Sequence, residues 1–413
     1  MRKQERIGLI ADDLTGTLDT GVQFTEKGLL TLVPFKFSPS LQNIPVLALN
    51  SNTRHASGQT AYRNVKELCK RLKGRILYKK VDSTLRGNVG REIVAMLDGS
   101  GLAKALLAPA FPTQGRTVEE GILKFYGVPF HLTFYREEFP VPPVTAFIPD
   151  LVRGDVGEKI AHISREGLAG GPRRVAEKIL DAKERIVLVD TYELADLRCI
   201  ARAWWNFLKE EVLACGSAGL ANELDMETPA GTQHGGRESQ KSGPFLLVCG
   251  SRHEKTLDQL RRVIDRYGLP VIEPNMKRFV DPENSSREIR RVAKEISSAQ
   301  NGRSGIVLTT SFQEILSGKG TMIARNLGKT VAQVLRARRF SSLIVSGGDV
   351  AMETCGRLRS SAMKIESEIV QGAPLSSLTD GPYKGLAIVT KGGGLGEPDA
   401  FVKVVQSLEK EGE

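Results

Sequence analysis

The stretch Ile7-Gly-Leu-Ile-Ala-Asp-Asp-Leu-Thr-Gly16 decides the fold. Its apolar run has the length of a buried strand, and it stops abruptly at two adjacent carboxylates and a Thr-Gly turn. Open α/β sheets bind ligands outside the carboxyl ends of their strands, so Asp12 and Asp13 stand where such a sheet presents chemical groups. One aspartate is accounted for by an N-cap on the next helix. The second is surplus to capping, and the pair is therefore a candidate site.

Working outward, the same grammar recurs along the chain. Strand-like runs at 46–50, 75–81, 104–108 and 185–189 alternate with helical patterns at 59–72, 89–97 and 194–211. A polar stretch at 226–243, METPAGTQHGGRESQKSG, lacks apolar periodicity and reads as a linker or long surface loop. Beyond it come runs at 245–249, 305–309, 342–346 and 386–390, with helices expected at 253–267, 285–299, 321–337 and 349–359. Such alternation implies an α/β protein of two domains, each a mainly parallel sheet flanked by helices. The expected domains are 1–225 and 244–413, and the Pro-rich 139–149 is expected to be an irregular loop in the first.

Composition excludes several classes. With 413 residues, 40% hydrophobic and 26% charged, the chain is an ordinary globular protein and not a disordered one. The apolar run behind the basic N-terminus is too short for a signal peptide, and no run reaches the roughly 18 residues of a membrane span, so a cytoplasmic location is expected. The five cysteines form no C-x-x-C pair and the five histidines lie at no metal-ligand spacing, so thiols are expected reduced and mostly buried, with no dedicated metal site. The net charge of +10 is spread through helical stretches interleaved with Glu. That is the pattern of solvated helix faces, favouring small anions rather than nucleic acid.

Four segments in the first half share one design, an apolar strand delivering polar residues at its end. They are Asp12/Asp13, Ser51-Asn-Thr-Arg54, Lys79-Lys-Val-Asp-Ser-Thr-Leu-Arg-Gly-Asn88 and Ala108-Pro-Ala-Phe-Pro-Thr-Gln-Gly-Arg116. Together they offer carboxylates (Asp12, Asp13, Asp82), hydroxyls (Ser83, Thr84) and cations (Lys79, Lys80, Arg54, Arg86, Arg116). A small polyhydroxy acid needs this mixture, because aspartates accept from hydroxyls while arginine forks grip carboxylates. At about 1.5–3 kcal/mol for each hydrogen bond to a charged group, four or five hold a ligand of very few carbons. Read singly, each residue has a plainer use: Asp82 as an N-cap, one of the alternating lysines facing a helix or solvent, Arg116 at the surface. The fourfold repetition favours a site.

In the second half, three strands run into glycine turns: Cys249-Gly-Ser251, Ser346-Gly-Gly-Asp349 and Thr390-Lys-Gly-Gly-Gly-Leu-Gly396. Glycine lets backbone N–H groups approach a phosphate, and a helix N-terminus adds favourable partial charge. Lys391 offers a point charge to β- or γ-phosphate oxygens. Two general signatures fail. Gly328-Lys-Thr330 has Ile323 where a P-loop needs its first glycine, and 392–396 lacks G-x-G-x-x-G spacing.

These motifs, IADDLTGTLDTG, KKVDSTLRGNVG, APAFPTQGRT, the Gly250-Ser251 turn, SGGDVAMET and VTKGGGLG, resemble the four-carbon acid sugar kinase family in order and over nearly the whole chain. The resemblance implies a substrate-binding N-terminal domain and a nucleotide-binding C-terminal one. It implies transfer of the γ-phosphoryl of ATP, accompanied by Mg²⁺, to a hydroxyl of a four-carbon sugar acid. Substrate contacts would fall on Asp12, Arg54 and Asp82-Ser83-Thr84-Leu85, and ATP contacts on Ser251, Gly347-Gly348-Asp349, Lys391, Gly392, Gly393 and Gly394. Ser51-Asn-Thr-Arg54 looks more like the threonate and erythronate kinases than the 3-oxo-tetronate kinases. Arg252-His253 departs from the small or hydroxyl residues of relatives, which puts the adenosine-side contact of that turn in doubt.

On this reading Asp12 or Asp13 orients the attacking hydroxyl and accepts its proton, and Arg54, Arg86 or Arg116 binds the carboxylate. Mg²⁺ needs only one or two protein carboxylates, and domain closure would exclude water. The rivals are a sugar-acid dehydrogenase or lyase, disfavoured by the missing dinucleotide fingerprint, and a sugar-acid-responsive regulator, disfavoured because no helix-turn-helix precedes Ile7. Oligomeric state is left open, a homodimer included.

Overall fold

The computed structural model describes residues 5–139, 141–226, 243–299, 305–314, 316 and 318–410. Almost all of the expected linker at 226–243 therefore lies outside the described residues. The chain divides into two compact units, residues 1–31 with 40–231 and residues 32–39 with 232–413.

The first unit is built on a parallel sheet whose strands lie side by side in the order Val46–Asn50, Ile7–Ala11, Ile76–Lys80, Val212–Gly216, Lys104–Ala108, Ile186–Val189, Ile160–Ile163. Ile7–Ala11 is buried along its whole length, as a strand covered by helices on both faces must be. The register sets Ala11 beside Asn50 and Ile10 beside Lys79, so neighbouring strands end level and deliver their following residues to one edge. A small antiparallel sheet, Arg116–Glu119, Ile122–Phe125 and Val128–Pro129, follows the fifth strand in sequence.

Two departures from the sequence reading have physical causes. The helix expected over 194–211 is α-helical only across Leu194–Ala203, then widens into a π-turn, Trp204–Leu208, before the strand Val212–Gly216. The wider turn buries Trp204, Trp205 and Leu208 together, and Trp204 Nε1 donates to Val212 O at 2.8 Å. Within 139–149, the described residues 141–147 form no helix or strand, but the helix Ile148–Val156 begins there with Pro149 in its first turn, where its missing N–H costs nothing.

The second unit has the parallel order Val271–Ile272, Gly305–Thr309, Phe245–Cys249, Ser342–Ser346, Ala387–Lys391, continued by the antiparallel strands Ala373–Leu378 and Ala362–Val370. Its core packs Leu247, Val307, Ile344 and Val389 against Leu260, Val263, Phe401 and Val404. Residues 32–39 join this unit, where the N–H groups of Phe35 and Lys36 donate to Ser361 O at 2.8 and 3.1 Å. Among the described residues no helix is long and apolar enough to cross a membrane. All five cysteines are free thiols, four of them buried.

Candidate active site

At the strand ends of the first unit, three sequence-predicted carboxylates converge on one guanidinium. Arg54 binds both carboxylate oxygens of Asp12, through Nε to Oδ2 and through Nη2 to Oδ1 at 2.8 Å. The same guanidinium lies 3.4 Å from Asp13 Oδ2 and 3.2 Å from Asp82 Oδ2. Burial alone would raise the Asp12 carboxyl, but Arg54, with Lys79 and Lys80 behind it, holds it below the usual carboxylate range. Burial opposes the Arg54 charge in the same way, and the three aspartates push its pKa well above the ordinary value. Asp13 also caps the helix Leu14–Thr25, accepting from Gly16 N at 2.7 Å, and its side chain is 21% exposed against 4% for Asp12. Both uses of the paired carboxylates, capping and site-building, therefore coexist.

The Asp82-Ser83-Thr84-Leu85 turn is built from its own polar atoms. Asp82 Oδ1 accepts from Thr84 N and Oγ1, both at 3.1 Å, and Oδ2 accepts from Arg86 Nε at 2.6 Å. Burial is again overridden, by Arg86, Arg54 and Lys80, and Asp82 stays strongly acidic. Leu85 is held at φ +61°, a left-handed conformation that side chains other than glycine rarely adopt, and such strain gathers at functional sites. Gly87, at φ +92°, leaves room for Asp12, since a Cβ there would stand 2.8 Å from Asp12 Oδ2.

Lys79 and Lys80 end one strand and point to opposite faces, as the pleat requires. Both are buried, and Lys79 faces a neighbouring helix, Val89–Ser100, as their alternation allows. Lys79 pairs with buried Glu92 at 2.7 Å, and Glu92 accepts from Thr53 Oγ1 at 2.5 Å, locking the loop before Arg54. Lys80 lies on the other face, its Nζ 3.2 Å from where a Cβ on Gly16 would be. Arg116 is buried, stacked 4.6 Å over the Phe125 ring, with Nη1 donating to Gln114 O at 2.7 Å. The sequence reading missed Asp19, a buried carboxyl on the helix after Asp13 whose pKa burial pushes up to about 6. Its only signal was an acidic residue among small ones in an otherwise buried helix.

In the second unit, Gly250, Arg252, Thr310, Gly347, Gly348 and Asp349 help line a cavity of about 330 Å³. Gly347 has φ +109° and opens the helix Gly348–Cys355, whose N-terminus the cavity therefore meets. The Ser251 turn and the loop after Lys391 touch: a Cβ on Gly393 would stand 2.6 Å from Ser251 Oγ, and Thr256 Oγ1 donates to Gly393 O. Lys391 is fully buried, its Nζ on Gly392 O at 2.9 Å and 5.4 Å from the Phe401 ring centre, and burial lowers its pKa to about 7. Gly392, Gly393 and Gly394 are half-buried around it, and neither they nor Lys391 line the cavity. Arg252 lines the cavity and His253 caps the helix Glu254–Tyr267 through Lys255 N, which gives this unusual pair distinct structural uses. Gly328 sits inside the helix Gly320–Ala337, where a Cβ would meet Glu353 O at 2.6 Å, so that glycine serves helix packing. No cluster of three or more His, Cys, Asp or Glu side chains is placed to hold a metal ion among the described residues.

Comparison with known proteins follows the same division. The pattern of a sugar-binding N-terminal domain matches residues 7–224, and that of a nucleotide-binding C-terminal domain matches 246–401. The chain is 31% identical to the D-threonate kinase of Bordetella bronchiseptica over 97% of both chains. It belongs to the four-carbon acid sugar kinase family. Other family members similar to it are the D-erythronate kinase of Heliobacterium modesticaldum, 29% identical over 97% of this chain and 96% of that one, and a 3-oxo-tetronate kinase of Cupriavidus necator, 26% identical over 97% of both. A crystal structure of a Salmonella typhimurium LT2 protein shares the fold, with a TM-score of 0.78 at 19% identity over 97% of this chain and 99% of that one. So does a Haemophilus influenzae DUF1537 protein, with a TM-score of 0.69 at 21% identity over 97% and 100%.

Proposed function

We propose that this family member transfers the γ-phosphoryl group of ATP to a hydroxyl of D-threonate or D-erythronate. One observation carries the reading: Asp12, Asp13 and Asp82 gather around Arg54 in the unit matched by the sugar-binding domain. Carboxylates fixed beside a cation suit a ligand that is all hydroxyls and one charge. The identities to threonate and erythronate kinases, higher than to the 3-oxo-tetronate kinase named above, support the choice of acid.

Phosphoryl transfer asks a protein mainly for positioning and charge neutralisation. Asp12 has both oxygens engaged by Arg54, which suits it to positioning. Asp13 keeps the more accessible carboxylate and is the proposed partner of the attacking hydroxyl and acceptor of its proton. Asp82, Ser83, Thr84, Leu85 and Arg86 would shape the rest of the sugar-acid site. For ATP, the glycines 250, 347 and 348 leave the cavity lining free of side chains where backbone N–H groups approach phosphate. Ser251 and the Lys391–Gly394 loop would close round the phosphates, Lys391 regaining its charge beside them. Mg²⁺ would neutralise phosphate charge there, and of the two carboxylates lining the cavity, Glu314 and Asp349, Asp349 beside the glycine turn would hold it. A coupled ADP-release assay across D- and L-threonate, D- and L-erythronate and their 3-oxo forms tests the reading. Turnover of D-threonate or D-erythronate is expected, and turnover only of a 3-oxo acid, or of none, would refute it.

A further inference from the structure

The sugar-acid reading needs a cation for the substrate carboxylate, and most cations of the site are already committed. Arg54 is bound to Asp12 on two nitrogens and flanked by Asp13 and Asp82. Arg86 Nε is on Asp82, and Lys79 is on Glu92 and on Lys80 O at 2.7 Å. Lys80 is different. It is 6% exposed, and no hydrogen bond or ion pair to its Nζ is formed among the described residues. Arg116 is likewise 6% exposed, and its Nε is a buried donor without an acceptor.

Buried donors are almost always satisfied, and Arg116 Nε is an exception. Lys80 and Arg116, one on the strand Ile76–Lys80 and one on Arg116–Glu119, act electrostatically on the same carboxyl, Asp19. Lys80 Nζ also lies at the first turn of the helix Leu14–Thr25, where the N-terminal end of the helix adds favourable potential for an anion. A chain that keeps this arrangement has somewhere to put a negative charge.

We propose that Lys80 Nζ, backed by Arg116 Nε, forms the carboxylate subsite for the four-carbon acid, while Arg54 positions Asp12, Asp13 and Asp82. The inference rests on the function proposed above and names which of its cations touches the acid group. Lysine presents a point charge there, which accepts a carboxylate in several orientations, whereas the Arg54 fork is spent on holding protein carboxylates.

The test compares the purified full chain acting on its better acid, D-threonate or D-erythronate, with the primary amide of that acid, which keeps every carbon and hydroxyl and loses the charge. Lys80→Met is expected to lower kcat/KM for the acid by roughly 10- to 150-fold, the worth of a hydrogen bond to a charged group, mainly through KM. The amide should change by no more than about 3-fold, within the scatter of an uncharged contact, so the preference for the acid collapses. Lys80→Arg should keep most of it. Arg54→Lys should lower kcat on acid and amide alike and leave their ratio intact. Retention of the acid preference by Lys80→Met, or its collapse in Arg54→Lys, would overturn the proposal. If Lys80→Met does not fold, the Arg54→Lys ratio still decides. A wild-type chain that phosphorylates neither acid refutes the underlying function instead, and the two failures are thus distinguishable.

Discussion

Asp19→Asn separates what the site costs the fold from what it does. Asp19 sits on the helix Leu14–Thr25, 7% exposed, and burial, opposed by Lys80 and Arg116 and reinforced by Asp13 and Asp82, moves its pKa from 3.8 to about 6. A carboxyl whose folded pKa is raised holds its proton longer in the native state than in the unfolded chain. Stability is therefore full below the unfolded value and is lost as pH rises through the window from 3.8 to about 6. At about 1.4 kcal/mol per pH unit, the charged form costs the native state about 3 kcal/mol at neutral pH, of which about 2 kcal/mol is lost between about pH 4.5 and 8. Asparagine cannot ionise, so the wild-type stability minus that of Asp19→Asn should fall by about that amount over the interval. The constant offset from burying an amide cancels in the comparison. Both tryptophans, Trp204 and Trp205, lie buried in the first unit, so urea unfolding followed by tryptophan fluorescence reports that unit directly. A difference that stays flat with pH would refute the placement of Asp19 as a desolvated carboxyl.

Other perturbations reach the remaining parts of the two sites. Lys79→Met strands Glu92 in the interior and should cost about 3–5 kcal/mol in the same unfolding assay, with most of it regained in Lys79→Met/Glu92→Leu; a loss under about 1 kcal/mol would mean the pair is not buried as described. Gly87→Ala combines a left-handed φ with a Cβ 2.8 Å from Asp12 Oδ2. It should lower kcat/KM by about 100-fold through displacement of the Asp12–Arg54 pair, and wild-type turnover would show that the pair does not need its present place. Lys391, lowered to about 7 by burial, should take up a proton when a triphosphate arrives, because an anion favours its charged form. Calorimetry of Mg-ATP binding at about pH 7.5 in buffers of different ionisation heat should show roughly half a proton or more taken up, lost in Lys391→Met; a heat independent of buffer would count against Lys391 as a phosphate ligand.

Much of this architecture is legible in the sequence where one strong signal dominates. The run 7–11 reads as a strand because it is apolar without interruption, and it is buried along its full length. The glycine turns after Cys249, Ser346 and Lys391 read as turns because each follows such a run. The hairpin Ala362–Val370 with Ala373–Leu378 was not read at all. Its strands carry Lys364, Glu366 and Glu368, and their register shifts twice, so no period-2 apolar pattern stands out. The bend of residues 32–39 into the second unit depends on hydrogen bonds to Ser361, more than three hundred positions away, and no local pattern encodes that.

Within the candidate site the limit is sharper, because sequence supplies residue types but not partners. Arg54 looks like the natural grip for a carboxylate, as arginine forks usually are. Its fork is instead filled by Asp12, and that pairing reassigns every other charge nearby. With Arg54 neutralising the strand-end aspartates, the candidate cations left with donors to spare among the described residues are Lys80, with no bond to its Nζ, and Arg116, whose Nε lacks an acceptor, and sequence alone does not rank them above Arg54. An alternating pair of lysines says that two faces are served, not which face carries a ligand. The answer follows only once Glu92 is found opposite Lys79, because satisfying one lysine from the protein leaves the other to be satisfied from solution.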